Sequence, residues 1–204
     1  MYTPDIYKNE NQEEIEKFLQ ENSFGILINQ TNGKLWATHI PLELAINREG
    51  KAILEGHISK ENLQWNGFLE SNEVLAVFSG PHSYISSSWY DHENVPTWNY
   101  IAVHVYGKLK IIEGQAVIES LKKLVNKYEQ KYENPTRIED LSEKTMLQAR
   151  GIVAFEIEID EIQATRKMSQ NRDSKNYQNI ISELEKNNTA DSLATANEMK
   201  KCPM

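Results

Sequence analysis

A strict alternation of apolar and polar side chains over residues 101–111 constrains the fold of this chain more than any other feature. Successive side chains of a β-strand point to opposite faces, so the pattern predicts a long strand with one buried face. The inward side chains are expected to be Ile101, Val103, Val105, Leu109 and Ile111. Directly afterwards the apolar period becomes that of a helix over residues 115–132, which predicts an amphipathic helix.

The same two patterns recur along the chain. Alternation or short apolar runs predict strands in "FGILI", "KLWATHIPLEL", "KAILEGHIS", "EVLAVFSG" and "GIVAFEIEID". Asn32-Gly33 predicts a hairpin, because both residues tolerate a positive φ. Helical spacing predicts helices at residues 10–22 and 138–149, a helical turn in "KENLQWNGFLES", and a helical or frayed tail from about residue 173 with a break near Asn187-Asn188.

Strands joined by hairpins and short helices predict a mainly β protein with peripheral helices, in which six or so strands form an antiparallel barrel rather than a doubly wound sheet. A single domain over residues 1–204 is the simplest organisation. The N-terminal residues show no signal-peptide pattern, no apolar run approaches the length of a membrane span, and the lone Cys202 excludes a disulfide framework. A cytoplasmic location without a membrane partner is therefore expected.

The net charge of −8 argues against general nucleic-acid binding, because non-specific DNA binding depends on cations that neutralise phosphates. A local basic patch would still allow DNA to bind. Common nucleotide-binding and catalytic motifs such as G-x-G-x-x-G and G-x-S-x-G are absent. The five histidines show no metal-ligand spacing, so no metal site is predicted.

The segment from Gly80 to His104 combines aromatic rings with hydroxyl, amide and imidazole groups. Buried polar groups are costly without partners, so this density predicts either a wet loop or a pocket for a flat ligand with polar edges. If residues 84–89 form a strand, Tyr84, Ser86 and Ser88 share one face. Core packing is the alternative role for the two tryptophans of the segment.

Several ordered blocks of the sequence resemble the PaiB family of FMN-binding split-barrel proteins. The blocks are "MYTPDIY", "THIPL", "GHISKENLQW", "AVFSGPHSYISSSWY", "VPTWNYIAVHVYG" and "KMSQNR". The resemblance implies a six-stranded antiparallel split barrel related to the pyridoxamine-phosphate-oxidase and flavin-reductase folds, and a homodimer with FMN at the subunit interface. It also implies a transcriptional regulator, a negative one (a repressor) in the bacilli. The sequence departs from the family where Ser87 replaces a proline and where the tail lacks an Arg- and Gly-containing helix.

FMN needs donors for its phosphate, flat contacts for its ring and polar partners for its ribityl chain. The residues expected to bind it are Thr38, His39, His57, Ser59, Lys60, Tyr84, Ser86, Ser88, Trp89, Tyr90, Thr97, Trp98, Asn99 and Arg172. His57 and Ser59 are predicted to bind the phosphate, with a cation from Lys60 or Arg172. The basic cluster of Arg166, Lys167 and Arg172 is open to three interpretations: a phosphate contact, a DNA-binding patch or a solvated charge cluster.

Three functions remain open at this point. The first is a regulator that responds to flavin or redox state, the second an FMN-dependent oxidoreductase acting on a small substrate, and the third an FMN-binding module without turnover. No residue stands out as a catalytic acid or base, although His57, His82 and His104 are candidates by residue type.

Overall fold

The computed structural model describes residues 1–201, so Cys202 lies outside the described part of the chain. The strands are β1 (Lys8–Asn9), β2 (Phe24–Thr31), β3 (Lys34–Ile46), β4 (Ala52–Ser59), β5 (Glu73–Ile85), β6 (Thr97–Ile112) and β7 (Ile152–Lys167). The α-helices are α1 (Gln12–Glu21), α2 (Gly67–Glu70), α3 (Gln115–Glu129), α4 (Glu143–Met146), α5 (Ser174–Asn187) and α6 (Ala190–Lys200). Short 3₁₀ helices cover Asp5–Tyr7, Leu63–Asn66, Ser87–Trp89, Ile138–Asp140 and Leu147–Gly151.

The strands form one sheet with the hydrogen-bonded order β1-β7-β4-β3-β2-β5-β6. A further pairing between β6 and β7 closes the six longer strands into a ring, to which the two-residue β1 is added at β7. The pairs β1–β7, β2–β3, β2–β5, β3–β4 and β4–β7 are antiparallel. The predicted antiparallel barrel with peripheral helices is therefore confirmed.

Two local sequence signals explain much of this arrangement. Asn32 and Gly33 adopt φ values of 51° and 72°, and they connect β2 to β3 as a tight hairpin. In β6 the side chains from Asn99 to Leu109 alternate between buried and more exposed positions, as the alternating pattern predicts. The turn and the alternation together fix which face of each strand lies in the core.

The described residues form two compact units. The first unit contains Met1–Phe18, Phe78–His104 and the described residues from Gln163 onward, and the second contains Leu19–Val77 and Val105–Ile162. Strands β5, β6 and β7 each contribute residues to both units. The organisation of residues 1–204 as a single domain stays a prediction.

The core of the second unit lies on the inward faces of its strands. Phe155 of β7 is completely buried, and its ring meets that of Phe68 edge to face at a centroid distance of 5.6 Å. Gly56 of β4 makes room for Phe155, because a Cβ atom at Gly56 would lie 3.0 Å from the Phe155 ring.

The core of the first unit is built jointly by strand residues and by the two C-terminal helices. Its buried members are Ile85, Tyr90, Ile101, Met168, Tyr177, Ile180, Ile181, Leu184, Ala196 and Met199. The Asp173 side chain caps the start of α5, Asn188 ends that helix in a left-handed conformation, and Thr189 caps α6. The predicted tail with a break near Asn187-Asn188 is thus a packed helical hairpin.

Two local predictions are wrong. Residues 138–149 form short helical turns rather than one helix, because Leu141 is extended and Ser142 begins a new turn by accepting the Thr145 amide at 3.2 Å. The strand expected through residues 84–89 ends at Ile85, because the Ser86 hydroxyl accepts the Ser88 amide at 3.2 Å and starts a 3₁₀ turn.

Within residues 1–201, no helix has both the length and the apolar character required to cross a membrane. Over the same residues, no three or more histidine, cysteine, aspartate or glutamate side chains are grouped so that they could hold a metal ion.

Candidate functional site

The residues predicted to bind FMN fall into both units. Five of them belong to the second unit: Thr38, His39, His57, Ser59 and Lys60. Nine belong to the first unit: Tyr84, Ser86, Ser88, Trp89, Tyr90, Thr97, Trp98, Asn99 and Arg172.

An open groove of about 400 Å³ lies in the first unit beside the connection between α5 and α6. Its lining residues are His82, Ser83, Tyr84, Trp89, Trp98, Leu184, Asn187, Thr189, Asp191 and Ser192. The Trp98 ring meets those of His82 and Tyr84 at centroid distances of 6.2 and 6.0 Å. Tyr84 and Trp98 remain 48% and 53% exposed, so the groove presents a continuous aromatic surface. Three predicted residues, Tyr84, Trp89 and Trp98, thus come together here.

Ser86 and Ser88 lie in the turn that follows β5. The Ser86 hydroxyl accepts the Ser88 amide, and the two hydroxyl oxygens lie 2.8 Å apart. Both side chains therefore stabilise the local turn. The exposed Ser88 keeps a hydroxyl group available to solvent or to a ligand.

Asn99 lies completely inside the first unit. Its carboxamide oxygen accepts the Ser169 hydroxyl at 3.0 Å, and its nitrogen lies 3.5 Å from the Met199 sulfur. Asn99 thus ties the segment after β7 and helix α6 to β6. A direct contact between Asn99 and FMN stays a prediction.

A basic cluster lies at the end of β7 in the first unit. Lys167 donates to the Thr97 hydroxyl at 2.5 Å and lies 5.6 Å from the centre of the Tyr7 ring. Arg172 lies 5.1 Å from the centre of the Tyr90 ring. Burial lowers the pKa of Lys167, and the positive charge of Arg172 lowers it further. Two predicted residues, Thr97 and Arg172, thus lie close to Lys167, for which a phosphate contact was one of three open interpretations, and a third, Tyr90, lies beside Arg172.

Four of the five predicted residues in the second unit have structural contacts of their own. The Thr38 hydroxyl donates to Gln64, and His39 stacks on Phe24 at a centroid distance of 6.3 Å. The Ser59 hydroxyl accepts the Glu61 amide at 3.2 Å, and the Lys60 carbonyl accepts the Trp65 indole at 3.0 Å. The side chain of Lys60 is exposed.

His57 lines a small cavity of about 120 Å³ between β3, β4 and α3. Glu43 and Glu55 lie directly opposite each other on these strands, and Lys127 and Lys123 of α3 each contact one of them at 2.5 Å. Burial lowers the pKa of His57. Neutral imidazole is therefore favoured here, beside two carboxylates that already have cationic partners, and the phosphate contact of His57 stays a prediction.

The fold of this chain is similar to that of known flavin proteins. A chain with this ring of six strands belongs to the split-barrel class, and two solved flavin proteins share the fold. One is an FAD- and heme-binding protein from Mycobacterium smegmatis (TM-score 0.62, 15% identity, 84% of this chain and 78% of that one). The other is the flavocytochrome Anf3 from Azotobacter vinelandii (TM-score 0.58, 17% identity, 85% of this chain and 75% of that one).

The sequence comparisons define the family more narrowly. Residues 1–161 match the family described as "Putative FMN-binding domain", and the chain belongs to this family. It is also 44% identical over 203 residues to the protease synthase and sporulation protein PAI 2 of Bacillus subtilis, covering 98% of both chains. The resemblance to PaiB proteins is therefore confirmed, and FMN is the cofactor by which the family is described.

Proposed function

We propose that the protein is a PaiB-like, FMN-binding regulator of transcription that acts as a homodimer in the cytoplasm. The family match supports FMN as the ligand. The name of the Bacillus subtilis relative refers to protease synthase and sporulation, which supports a regulatory role, a repressor in the manner of the family. FMN supplies redox chemistry when bound, so its redox state is the natural signal for such a regulator.

The observation that carries the proposal is the exposed aromatic surface of the first unit. Large aromatic side chains such as Tyr84 and Trp98 are rarely left open to water unless a ligand or another subunit covers them. The groove that they line offers flat contacts for an isoalloxazine ring, and Ser88 offers a hydroxyl nearby in sequence. The residues of the first unit therefore fit the ring and the polar edge of FMN.

The oxidoreductase alternative has no comparable support, because no residue of the sequence stands out as a catalytic acid or base. The proposed homodimer is tested by measuring its mass in solution. Sedimentation velocity at micromolar concentration is expected to give twice the chain mass of 23.6 kDa. The exposed Trp98→Ser variant is expected to shift toward monomer, whereas the matched variant Trp36→Ser, on β3, is not. A monomeric wild-type protein at this concentration would contradict the dimer.

The regulatory part is tested by DNA binding. The FMN-loaded dimer is expected to bind promoter fragments and to slow their migration in a gel-shift assay. Its affinity for DNA should fall as the salt concentration rises. Rapid consumption of NADH or NADPH, together with no DNA binding, would instead identify an oxidoreductase.

A further inference from the structure

Two basic side chains of the first unit lack an acidic partner. Lys167 and Arg172 are both partly buried, and neither forms an ion pair with a carboxylate of residues 1–201. Arg166, which is adjacent to Lys167 in the sequence, pairs with Glu198 at 3.1 Å and with Glu14 at 3.6 Å. The chain has 30 acidic and 22 basic residues, so carboxylate partners are plentiful. Two partly buried cations that pair with none of them indicate that an anion from outside the chain neutralises their charge.

The two cations are close enough to repel each other. The charge of Arg172 contributes to the lowered pKa of Lys167, after the larger contribution of burial. Lys167 contacts the Thr97 hydroxyl and the Tyr7 ring, and Arg172 contacts the Tyr90 ring. An anion bound by both would relieve the repulsion and offset the cost of burying them.

A second observation points to the same place. Tyr90, on which Arg172 stacks, is only 8% exposed, yet its hydroxyl has no hydrogen-bond partner among residues 1–201. A buried polar group without a partner is unfavourable, so a ligand with acceptor oxygens would stabilise the site by accepting a hydrogen bond from the Tyr90 hydroxyl.

The segment after β7 is held in place without any ligand. Gln170 accepts the Met168 amide at 2.7 Å and donates to the Arg166 carbonyl at 2.6 Å. Ser169 adopts a φ of 57°, and its carbonyl accepts the Arg172 amide at 3.0 Å. The positions of Lys167 and Arg172 are therefore fixed in advance, which lowers the entropic cost of binding an anion.

We propose that Lys167, Arg172 and the Tyr90 hydroxyl form a phosphate-binding site, and that it takes the terminal phosphate of FMN. The inference rests on the proposed binding of FMN and names the part of the chain that recognises its charged end. Guanidinium and ammonium groups are the usual partners of phosphate, and a tyrosine hydroxyl adds a neutral donor. Partly buried cations suit a small, compact anion better than a DNA backbone, which requires many exposed cations.

The test is a titration of FMN and riboflavin into the wild-type protein and the variants Lys167→Met and Arg172→Met. Riboflavin lacks the phosphate but keeps the ring and the ribityl chain. A charge-assisted hydrogen bond has a strength that corresponds to about 10- to 100-fold in affinity, so each variant is expected to bind FMN that much more weakly. The affinity for riboflavin is expected to stay within about threefold of wild type in both variants.

Two control variants separate this effect from a general loss of charge or of folding. Lys186→Met removes an exposed lysine of α5 that pairs with Glu183, and it is expected to leave both affinities unchanged. Lys167→Arg keeps the positive charge and is expected to retain most of the FMN affinity. The melting temperature of each variant shows whether it is folded.

Equal losses of FMN and riboflavin affinity in the Lys167→Met and Arg172→Met variants would overturn the site. The site would also be overturned if the double variant His57→Ala with Ser59→Ala lost affinity for FMN selectively while the Lys167→Met and Arg172→Met variants lost none. If the wild-type protein binds neither flavin, the proposed function fails, and inorganic phosphate then tests the site alone. A phosphate-dependent rise in the wild-type melting temperature that Lys167→Met abolishes would support it, and no rise would overturn it.

Discussion

Replacing Gly107 with alanine is expected to lower the free energy of unfolding by about 3 kcal/mol. Gly107 lies in β6 where this strand approaches β7. A Cβ atom there would lie 2.2 Å from the Glu158 carbonyl oxygen and 2.8 Å from a methyl carbon of Ile157. The nearest clash is with backbone, so no side-chain rotation relieves it and the two strands must separate.

The measurement is urea unfolding, in which the midpoint should fall while the slope stays nearly constant. Gly151→Ala is the matched control, because a Cβ atom at Gly151 would meet nothing within 4 Å and its φ is not positive. Its stability is expected to change by less than about 0.5 kcal/mol. Equal stability of the Gly107→Ala protein and the control would mean that β6 and β7 do not approach as closely as described.

Replacing Phe155 with alanine is expected to cost about 3–5 kcal/mol of stability. Phe155 is completely buried and packs against Phe68 and Gly56. The substitution removes this contact surface and leaves a cavity that the surrounding strands can fill only in part. The effect should appear as a lower unfolding midpoint in urea and a lower melting temperature.

The matched control is Phe24→Ala, which makes the same chemical change on β2. Phe24 is 66% exposed, and its ring stacks on that of His39. Its replacement is expected to change stability by less than about 1 kcal/mol. A loss at Phe155 no larger than that at Phe24 would show that the interior face of β7 is assigned wrongly.

The parts of the fold that follow local rules could be predicted from the sequence. The alternation in β6 and the hairpin at Asn32-Gly33 depend on backbone geometry and on one buried face, so a short window contains the necessary information. The breaks at Ser86 and Ser142 could not be predicted in the same way. Each depends on one serine hydroxyl capping a turn, and this competes with the continuing pattern.

The candidate site was predicted less completely, because its chemistry depends on contacts between distant parts of the chain. The sequence does not distinguish the roles of Arg166, Lys167 and Arg172, because all three are cations of one short segment. The structure distinguishes them, since Arg166 pairs with Glu14 and Glu198, whereas Lys167 and Arg172 have no acidic partner among the described residues. His57 was expected to bind phosphate because of its residue type and its place near the end of a strand. Its position beside the ion pairs of Glu43 and Glu55 is set by helix α3, which follows about sixty residues later.

The visible absorption spectrum of the freshly purified protein tests the central claim, that this chain is a flavin protein, most directly. The account predicts the two visible bands of bound flavin, in a sample from which free flavin has been removed by gel filtration, and FMN as the flavin released on denaturation. A colourless protein that stays colourless after incubation with excess FMN and a second gel filtration would contradict it.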